Sequence, residues 1–314
     1  MSNQVTSLAS GHEGTFRDQA RAYFLRLRGG EMGSLPAVAA TLVLAGIFAA
    51  LSNVFLTPIN FTNLFVQAAE LTMLSAALVF VILLGEIDLS AGVTAGVAMA
   101  VFIQLILTFH WDWIPAFIAG MVVGIVIGWV IGFVVAKIGV PSFVVTLAFF
   151  LGFQGMQLVL LGEGGVYRVE APAVLAIMNS NIAEWQGWVL IVLCAAGTLI
   201  FGLWDRSRRS KTGLAVRPLS ILYIKTVAIL VLGGAAVGVM NLNRSQGAIP
   251  ISGVPIVIPI SIVILVAFTL MLDRTQFGRH LYAVGGNPEA ARRAGIKVGR
   301  VRIWAFVICA ILAV

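Results

Sequence analysis

Long apolar runs separated by short polar segments set the pattern of this chain. The runs fall near residues 36–56, 63–84, 91–109, 114–136, 142–161, 187–204, 219–241 and 256–272, and a ninth starts near Ile303. The eight complete runs are close to the ~20 residues that carry an α-helix across a bilayer, though several are slightly short. The pattern predicts an all-α polytopic membrane protein with about eight complete transmembrane helices. The ninth run has about twelve residues before Val314, roughly 18 Å of helix against a hydrocarbon core of about 30 Å. It is therefore expected to be truncated, with further C-terminal spans missing from this sequence. Residues 1–35 read as a cytoplasmic tail, 36–314 as the membrane body, and 273–300 as a long cytoplasmic loop within it. The polar head of about 35 residues is too long for the n-region of a cleavable signal peptide.

Composition agrees with the pattern. The chain is 60% hydrophobic and only 11% charged over 314 residues, more apolar surface than a soluble protein of this length can cover. The net charge of +7 would suit a nucleic-acid ligand, but the positions of the charges argue otherwise. Arg17, Arg21, Arg26 and Arg28 precede the first run, and Arg206, Arg208, Arg209, Lys211 and Arg217 fill one loop. Arg274, Arg279, Arg292, Arg293, Lys297, Arg300 and Arg302 fill another. Taken over alternate loops, 17 of the 20 Lys and Arg fall on one side of the membrane. Only Arg168 and Arg244 fall opposite, and Lys225 lies inside the seventh run, where its stem can snorkel. Basic residues mark the cytoplasmic side, so the N-terminus is expected there. Trp111, Trp113, Trp185 and Trp188 then fall at the outer interface, where indole rings prefer to sit. Cys194 and Cys309 both lie in apolar runs, which argues against a structural disulfide.

Several features inside the bilayer have a packing reading and a functional one. Ala116, Gly120, Gly124, Gly128, Gly132 and Ala136 place a small residue every four positions of the fourth run. Small side chains let helix backbones approach where lipid provides no hydrophobic drive. A step of four over-rotates the helix by about 40°, so the stripe winds, favouring right-handed crossings over long parallel contact. Glu70 is the one acidic residue well inside a run, with Gln67 a turn away on the same face. Gln104, Gln154 and Gln157 add neutral hydrogen-bonding groups. These five residues read either as glue between helices or as a polar path for a hydroxylated solute. The outer loop Gly162–Gln186, with Glu163, Arg168, Glu170 and Glu184, is of a length that is often functional.

Two short segments stand out between runs. In Gly85-Glu86-Ile87-Asp88-Leu89-Ser90-Ala91-Gly92, Asp88 or Ser90 is placed to cap the third run. Glu86 and Asp88 are two residues apart and do not share a helix face, which argues against a metal or acid–base pair. In Gly285-Gly286-Asn287-Pro288-Glu289-Ala290-Ala291-Arg292-Arg293-Ala294-Gly295, Asn287 suits an N-cap and Pro288 the first helical position. Glu289 suits the positive helix end and Gly295 the C-terminal stop. This predicts a self-contained helix of about two turns at the membrane surface. It carries a small face (Ala290, Ala291, Ala294) beside Arg292 and Arg293. An integral membrane protein has little structural need for such a helix unless a soluble partner pushes on it. No phosphate-binding loop is present; Arg209-Ser210-Lys211-Thr212-Gly213 lacks the preceding glycines. The chain also lacks H-E-x-x-H and G-x-S-x-G, and His12, His110 and His280 are scattered outside the runs. No catalytic group, no metal site and no ATP hydrolysis by this chain are expected.

Three stretches together resemble the permeases of bacterial sugar ABC importers, the ribose/xylose/branched-chain amino-acid group, and look closest to the xylose type. They are Gly85–Gly92, Val140-Pro141-Ser142-Phe143-Val144-Val145-Thr146-Leu147, and Phe277 to Ile296, and they cover the chain from about residue 60 onward. The resemblance implies an inner-membrane permease for a monosaccharide, expected to be a pentose. It implies a second permease copy, cytosolic ATP-binding subunits that hold ATP and Mg, and a periplasmic sugar-binding protein. It also implies that the Asn287–Gly295 helix is the coupling helix seated in the ATPase, with Gly285 to Arg293 and Gly295 as its contact residues. His280 stands where the group more often has a basic residue. Two rivals belong to other classes: a proton-driven secondary transporter using Glu70 as its relay, and a membrane scaffold that recruits proteins through its basic loops.

Overall fold

The computed structural model describes residues 35–162, 166–212, 218–245 and 247–314, together with Leu25, Gly29, Gly30, Met32 and Gly33. The basic residues of the N-terminal tail, Glu163 and Arg217 lie outside the described residues. Among the described residues the chain is helical, with no strand. Six helices are long and apolar enough to cross a membrane: Pro58–Ile82, Trp113–Ile138, Ser142–Leu161, Glu184–Lys211, Leu219–Met240 and Val257–Arg274. Two apolar helices are shorter, Leu35–Leu51 and Ala91–Leu107, each of 17 residues, or about 26 Å.

In chain order we label α1 Leu35–Leu51, α2 Pro58–Ile82, α3 Ala91–Leu107, α4 Trp113–Phe133 and α5 Ser142–Leu161. They are followed by α6 Pro172–Asn179, α7 Glu184–Lys211, α8 Leu219–Ala228 and α9 Gly234–Met240. The last four are α10 Val257–Arg274, α11 Gln276–Gly286, α12 Pro288–Arg293 and α13 Val298–Ala313. Boundaries depart from the hydropathy pattern where local chemistry intervenes. The first run stops at Leu51 because Ser52 to Thr57 form turns, with Phe55 N–H donating to Ser52 O and Thr57 N–H to Val54 O. Thr57 and Pro58 then act as cap and first helical residue, so α2 starts five residues before the expected 63. The loop between α5 and α7 carries a helix of its own, α6. The ninth run starts at Val298 rather than Ile303.

The chain divides into two compact units. One comprises residues 1–64 and 181–254. Within it, small residues again set helix contacts: a Cβ on Gly233 would stand 2.8 Å from Ile191, and one on Gly187 2.9 Å from Val254. Arg244 pins the turn after α9 by donating to the carbonyls of Met240 and Gly253.

The other unit comprises residues 65–180 and 255–314 and contains the candidate site. Its core gathers Ala77 and Val81 of α2, Val97 of α3, Ile127 and Ile131 of α4, Phe153 of α5, and Phe306 and Cys309 of α13. The small-residue stripe of α4 builds this core. Gly120 lies against Ala98 of α3, while Gly124, Gly128 and Gly132 lie against Val314, Phe306 and Ile303. The stripe thus winds from one neighbour to the other, yet three successive glycines keep contact with α13. A Cβ at 128 would stand 2.7 Å from the Phe306 carbonyl oxygen, closer than any side chain tolerates.

Candidate functional site

The predicted short helix is present. Asn287 has an extended backbone (φ −156°) and its Oδ1 accepts the Ala290 N–H at 3.0 Å. Pro288 opens the helix and Glu289 lies in its first turn, 2.7 Å from Arg292 Nη1. At the other end Gly295 takes φ +84°. Its N–H donates to Arg292 O, and the Ile296 N–H reaches back to Ala291 O, both at 3.0 Å. Those two bonds form a Schellman stop, which needs a left-handed residue and so favours glycine. The regular helix is six residues, Pro288–Arg293; cap and stop extend it to the predicted Asn287–Gly295.

One expectation about this helix is corrected. Ala290, Ala291 and Ala294 do not form one small outer face. Ala291 is buried among Phe80, Leu84, Leu281 and Val298, whereas Ala290, Arg293 and Ala294 are exposed together. Positions 290, 293 and 294 share a face by helical spacing; 291 lies about 100° round from 290, and packing against α2, α11 and α13 is what buries it. Arg292 is paired with Glu289, and Arg293 has no partner among the described residues.

A second helix precedes it that sequence reasoning missed. The stretch read as loop contains α11, which buries Gly278, Leu281 and Val284 on one face. Thr275 caps it by accepting the Gly278 N–H at 3.2 Å. The paired glycines 285 and 286 obscured the signal; the spacing of Phe277, Leu281 and Val284 carried it. Gly285 ends α11 against the backbone of Leu83, leaving no room for a Cβ there, while Gly286 faces open space.

Leu83 opens the segment that carries Glu86, Asp88 and Ser90. Capping of α3 is not as expected. Neither side chain bonds the first-turn amides of the helix; instead Asp88 Oδ1 accepts the Ser90 N–H at 2.8 Å and the Ser90 hydroxyl at 2.7 Å. Ser90 is fully buried, and its backbone lies near the αR region rather than the extended region a side-chain cap requires. The loop is fastened on two further sides. Ser142 Oγ accepts the Ile87 N–H at 3.0 Å, and the Thr146 hydroxyl, which donates to Ser142 O at 2.9 Å, shares its proton with the Ile87 carbonyl at 3.3 Å. On α13, Arg302 Nε lies 3.4 Å from Glu86 Oε1, with side chains 28% and 15% exposed. Arg302 Nε is buried without an aligned acceptor, so the contact is an ion pair rather than a directed hydrogen bond. Deeper along α13, Cys309 Sγ lies 3.7 Å from Asp88 Oδ2. Segments from four stretches of sequence, 83–90, 142–146, 285–296 and 302–309, therefore meet at one end of this unit.

The intramembrane polar residues separate into two groups. The Gln104 amide donates to Leu160 O, and that of Gln157 to Val93 O at 3.0 Å, so these two tie α3 to α5 reciprocally. Gly96 supplies the space that the Gln157 side chain occupies. Gln67, Glu70 and Gln154 are exposed on their helices. Among the described residues no group of three or more His, Cys, Asp or Glu is placed to hold a metal ion.

The profile of the family described as branched-chain amino acid transport system / permease component matches residues 60–314. The chain belongs to this permease family. It is 30% identical to the xylose transport system permease protein XylH of Haemophilus influenzae over 88% of this chain and 71% of that protein. It is 32% identical to XylH of Escherichia coli over 81% of this chain and 62% of that protein. The ribose import permease protein RbsC of Bacillus subtilis is 28% identical over 94% of this chain and 69% of its own length. The chain thus spans between about three fifths and seven tenths of these relatives. No solved structure matches it. Each of the three stretches that carry the resemblance lies inside the matched region of the permease.

Proposed function

We propose that this permease is the membrane subunit of an ATP-driven importer for a monosaccharide, with a pentose as cargo. The names of the similar proteins, for xylose and ribose, support that class of cargo. ATP and Mg would be held by cytosolic ATPase subunits, and a periplasmic binding protein would deliver the sugar to a pair of permease copies. The N-terminus lies in the cytoplasm, the two 17-residue helices complete eight spans of the inner membrane, and α13 begins a ninth. Residues 1–35 form the tail, 36–314 the permease domain, and 273–300 the cytoplasmic coupling loop.

The observation that carries this reading is α12 itself. A six-residue helix is too short to be stable alone, yet this one has a side-chain cap, a proline start and a glycine stop. Its buried residue Ala291 anchors it, and the exposed face offers two alanines and an arginine that has no partner among the described residues. Small side chains permit close approach, and Arg293 suits an acidic rim on a partner. Gly285, Gly286 and Asn287 to Arg293 serve as the ATPase contact, with Gly295 as its stop. Glu86, Asp88 and Ser90 fasten that contact to the membrane body. Gln67, Glu70 and Gln154 stay as candidates for the sugar path, with Gln104 and Gln157 placed to hold that path's walls. Membership of this family disfavours the proton-driven rival.

The test is Ala290→Trp and, separately, Ala294→Trp in the full-length protein assembled with its ATPase. Sugar uptake and coupled ATP hydrolysis are expected to fall roughly 5- to 150-fold while membrane insertion persists, since one bulky misfit at a small docking face costs about 1–3 kcal/mol. Undiminished uptake in both variants would overturn the assignment. Ala291→Trp is expected instead to lower the amount of folded protein.

A further inference from the structure

Beside the short helix lies a cleft of about 590 Å³. His280 of α11 lines it, with Lys297, Arg300 and Trp304 at the start of α13. Gln276 and Phe277 close the α11 side. A second cavity of about 420 Å³ has Arg300 and Trp304 in common with it. That one is apolar, lined by Val126 and Trp129 of α4 and by Ile303 and Val307 of α13. Arg300 and Trp304 border both cavities, so the two share a wall. Among the described residues no carboxylate lines either cavity.

The sequence explains the shape. Positions 300, 304 and 307 follow one face of α13 and Lys297 stands just before it; the line runs from two cations through an exposed indole to a buried valine. A residue order of charge, aromatic and aliphatic along one helix face is that of a surface passing from headgroups into hydrocarbon. Trp129 on α4 reaches the same slot from the neighbouring helix. Neither half is specific alone: cations at a membrane surface are common, and apolar grooves between helices are filled by any lipid. Joined through Arg300 and Trp304, the two halves match one kind of molecule, with an anionic head and an acyl chain.

We propose that this joined cleft is a binding site for an anionic phospholipid of the cytoplasmic leaflet. Lys297 and Arg300 would take the phosphate, His280 would donate to the head, and the chain would lie between Trp129 and Ile303. A basic pocket between helices on the cytoplasmic side selects such lipids by charge. The leaflet rests on the orientation proposed above; binding itself does not. The position beside α12 gives the lipid a consequence, because the cleft includes Ala294 and Gly295 at the stop of that helix. A bound headgroup would hold the α12–α13 turn and so steady the proposed ATPase contact.

The experiment is native mass spectrometry of the full-length protein released from nanodiscs holding equal phosphatidylglycerol and phosphatidylethanolamine. Phosphatidylglycerol is expected to be retained preferentially. The Lys297→Gln/Arg300→Gln pair should weaken that retention roughly 30-fold, from about fivefold per lost cation. Val126→Trp, which fills the slot from the exposed side of α4 and leaves the cations, should also abolish it. Equal retention of both lipids, or retention unchanged in the charge pair, would overturn the proposal. So would displacement of the lipid by millimolar inorganic phosphate, which would make the cleft a site for a soluble anion. A photocrosslinker at Trp304 that captures a segment of the protein or its ATPase, and no lipid, would do the same. Failure of the Ala290→Trp test with selective lipid retention intact would remove the coupling role and leave the lipid site standing.

Discussion

Replacing Gly285 by Ala, next to the same change at Gly286, isolates the contact that joins α11 to the loop after α2. Both glycines lie in the last turn of α11 with helical backbone. Alanine at either position should gain up to about 0.8–1 kcal/mol of helix propensity. The surroundings differ. A methyl at 286 meets nothing within 4 Å, whereas at 285 it would overlap the Leu83 carbonyl oxygen. That oxygen belongs to backbone and cannot rotate away, so α11 or the 83–86 turn must shift. Overpacking of this kind costs about 1–3 kcal/mol. The propensity gain cancels in the comparison, so Gly285→Ala should be less stable than Gly286→Ala by about 1–3 kcal/mol. The turn most exposed to the shift is closed by Gly85 N–H to Ile82 O at 2.9 Å and Glu86 N–H to Val81 O at 3.2 Å. Thermal unfolding of the full-length protein in detergent reads the stability. Hydrogen exchange at Gly85 and Glu86 reads the turn, and both amides should exchange faster only in the 285 variant. If the two variants melt together and protect those amides equally, the close packing of α11 on α2 is refuted.

Two further predictions follow from the same unit. Gly128→Leu should push α13 off α4, since even a Cβ there lies 2.7 Å from Phe306 O; loss of a cysteine cross-link between positions 125 and 303 would report it, and retention of the link would refute it. Glu86→Gln should cost about 2 kcal/mol, below the ~3–5 kcal/mol of a fully buried broken pair because Arg302 is partly exposed. The charge-swapped Glu86→Arg/Arg302→Glu protein should recover much of that loss, and a swap as unstable as the sum of its single variants would exclude an ion pair.

The short helix was legible residue by residue because its signals are local. Asn287, Pro288, Glu289 and Gly295 each act on backbone within a few positions, so spacing alone locates cap, start and stop. The helical class was equally legible, since apolar runs of bilayer length leave backbone groups no partner but their own helix. The glycine stripe of α4 announced close packing, but not that α3 would take Gly120 while α13 took the rest.

What the sequence could not supply were the contacts between distant stretches. Nothing in the run 83–90 says that Ser142, Arg302 and Cys309 converge on it, or that Asp88 turns to Ser90 rather than to the helix that follows. The alanines of α12 looked equivalent until one face was buried against Leu281 and Val298. Hydropathy and the cap, start and stop of the short helix were fixed by the order of residues; which side of each helix faces protein was decided only when the helices packed. The physical reason is range: a cap or a stop closes within one turn, whereas burial depends on neighbours more than two hundred residues away.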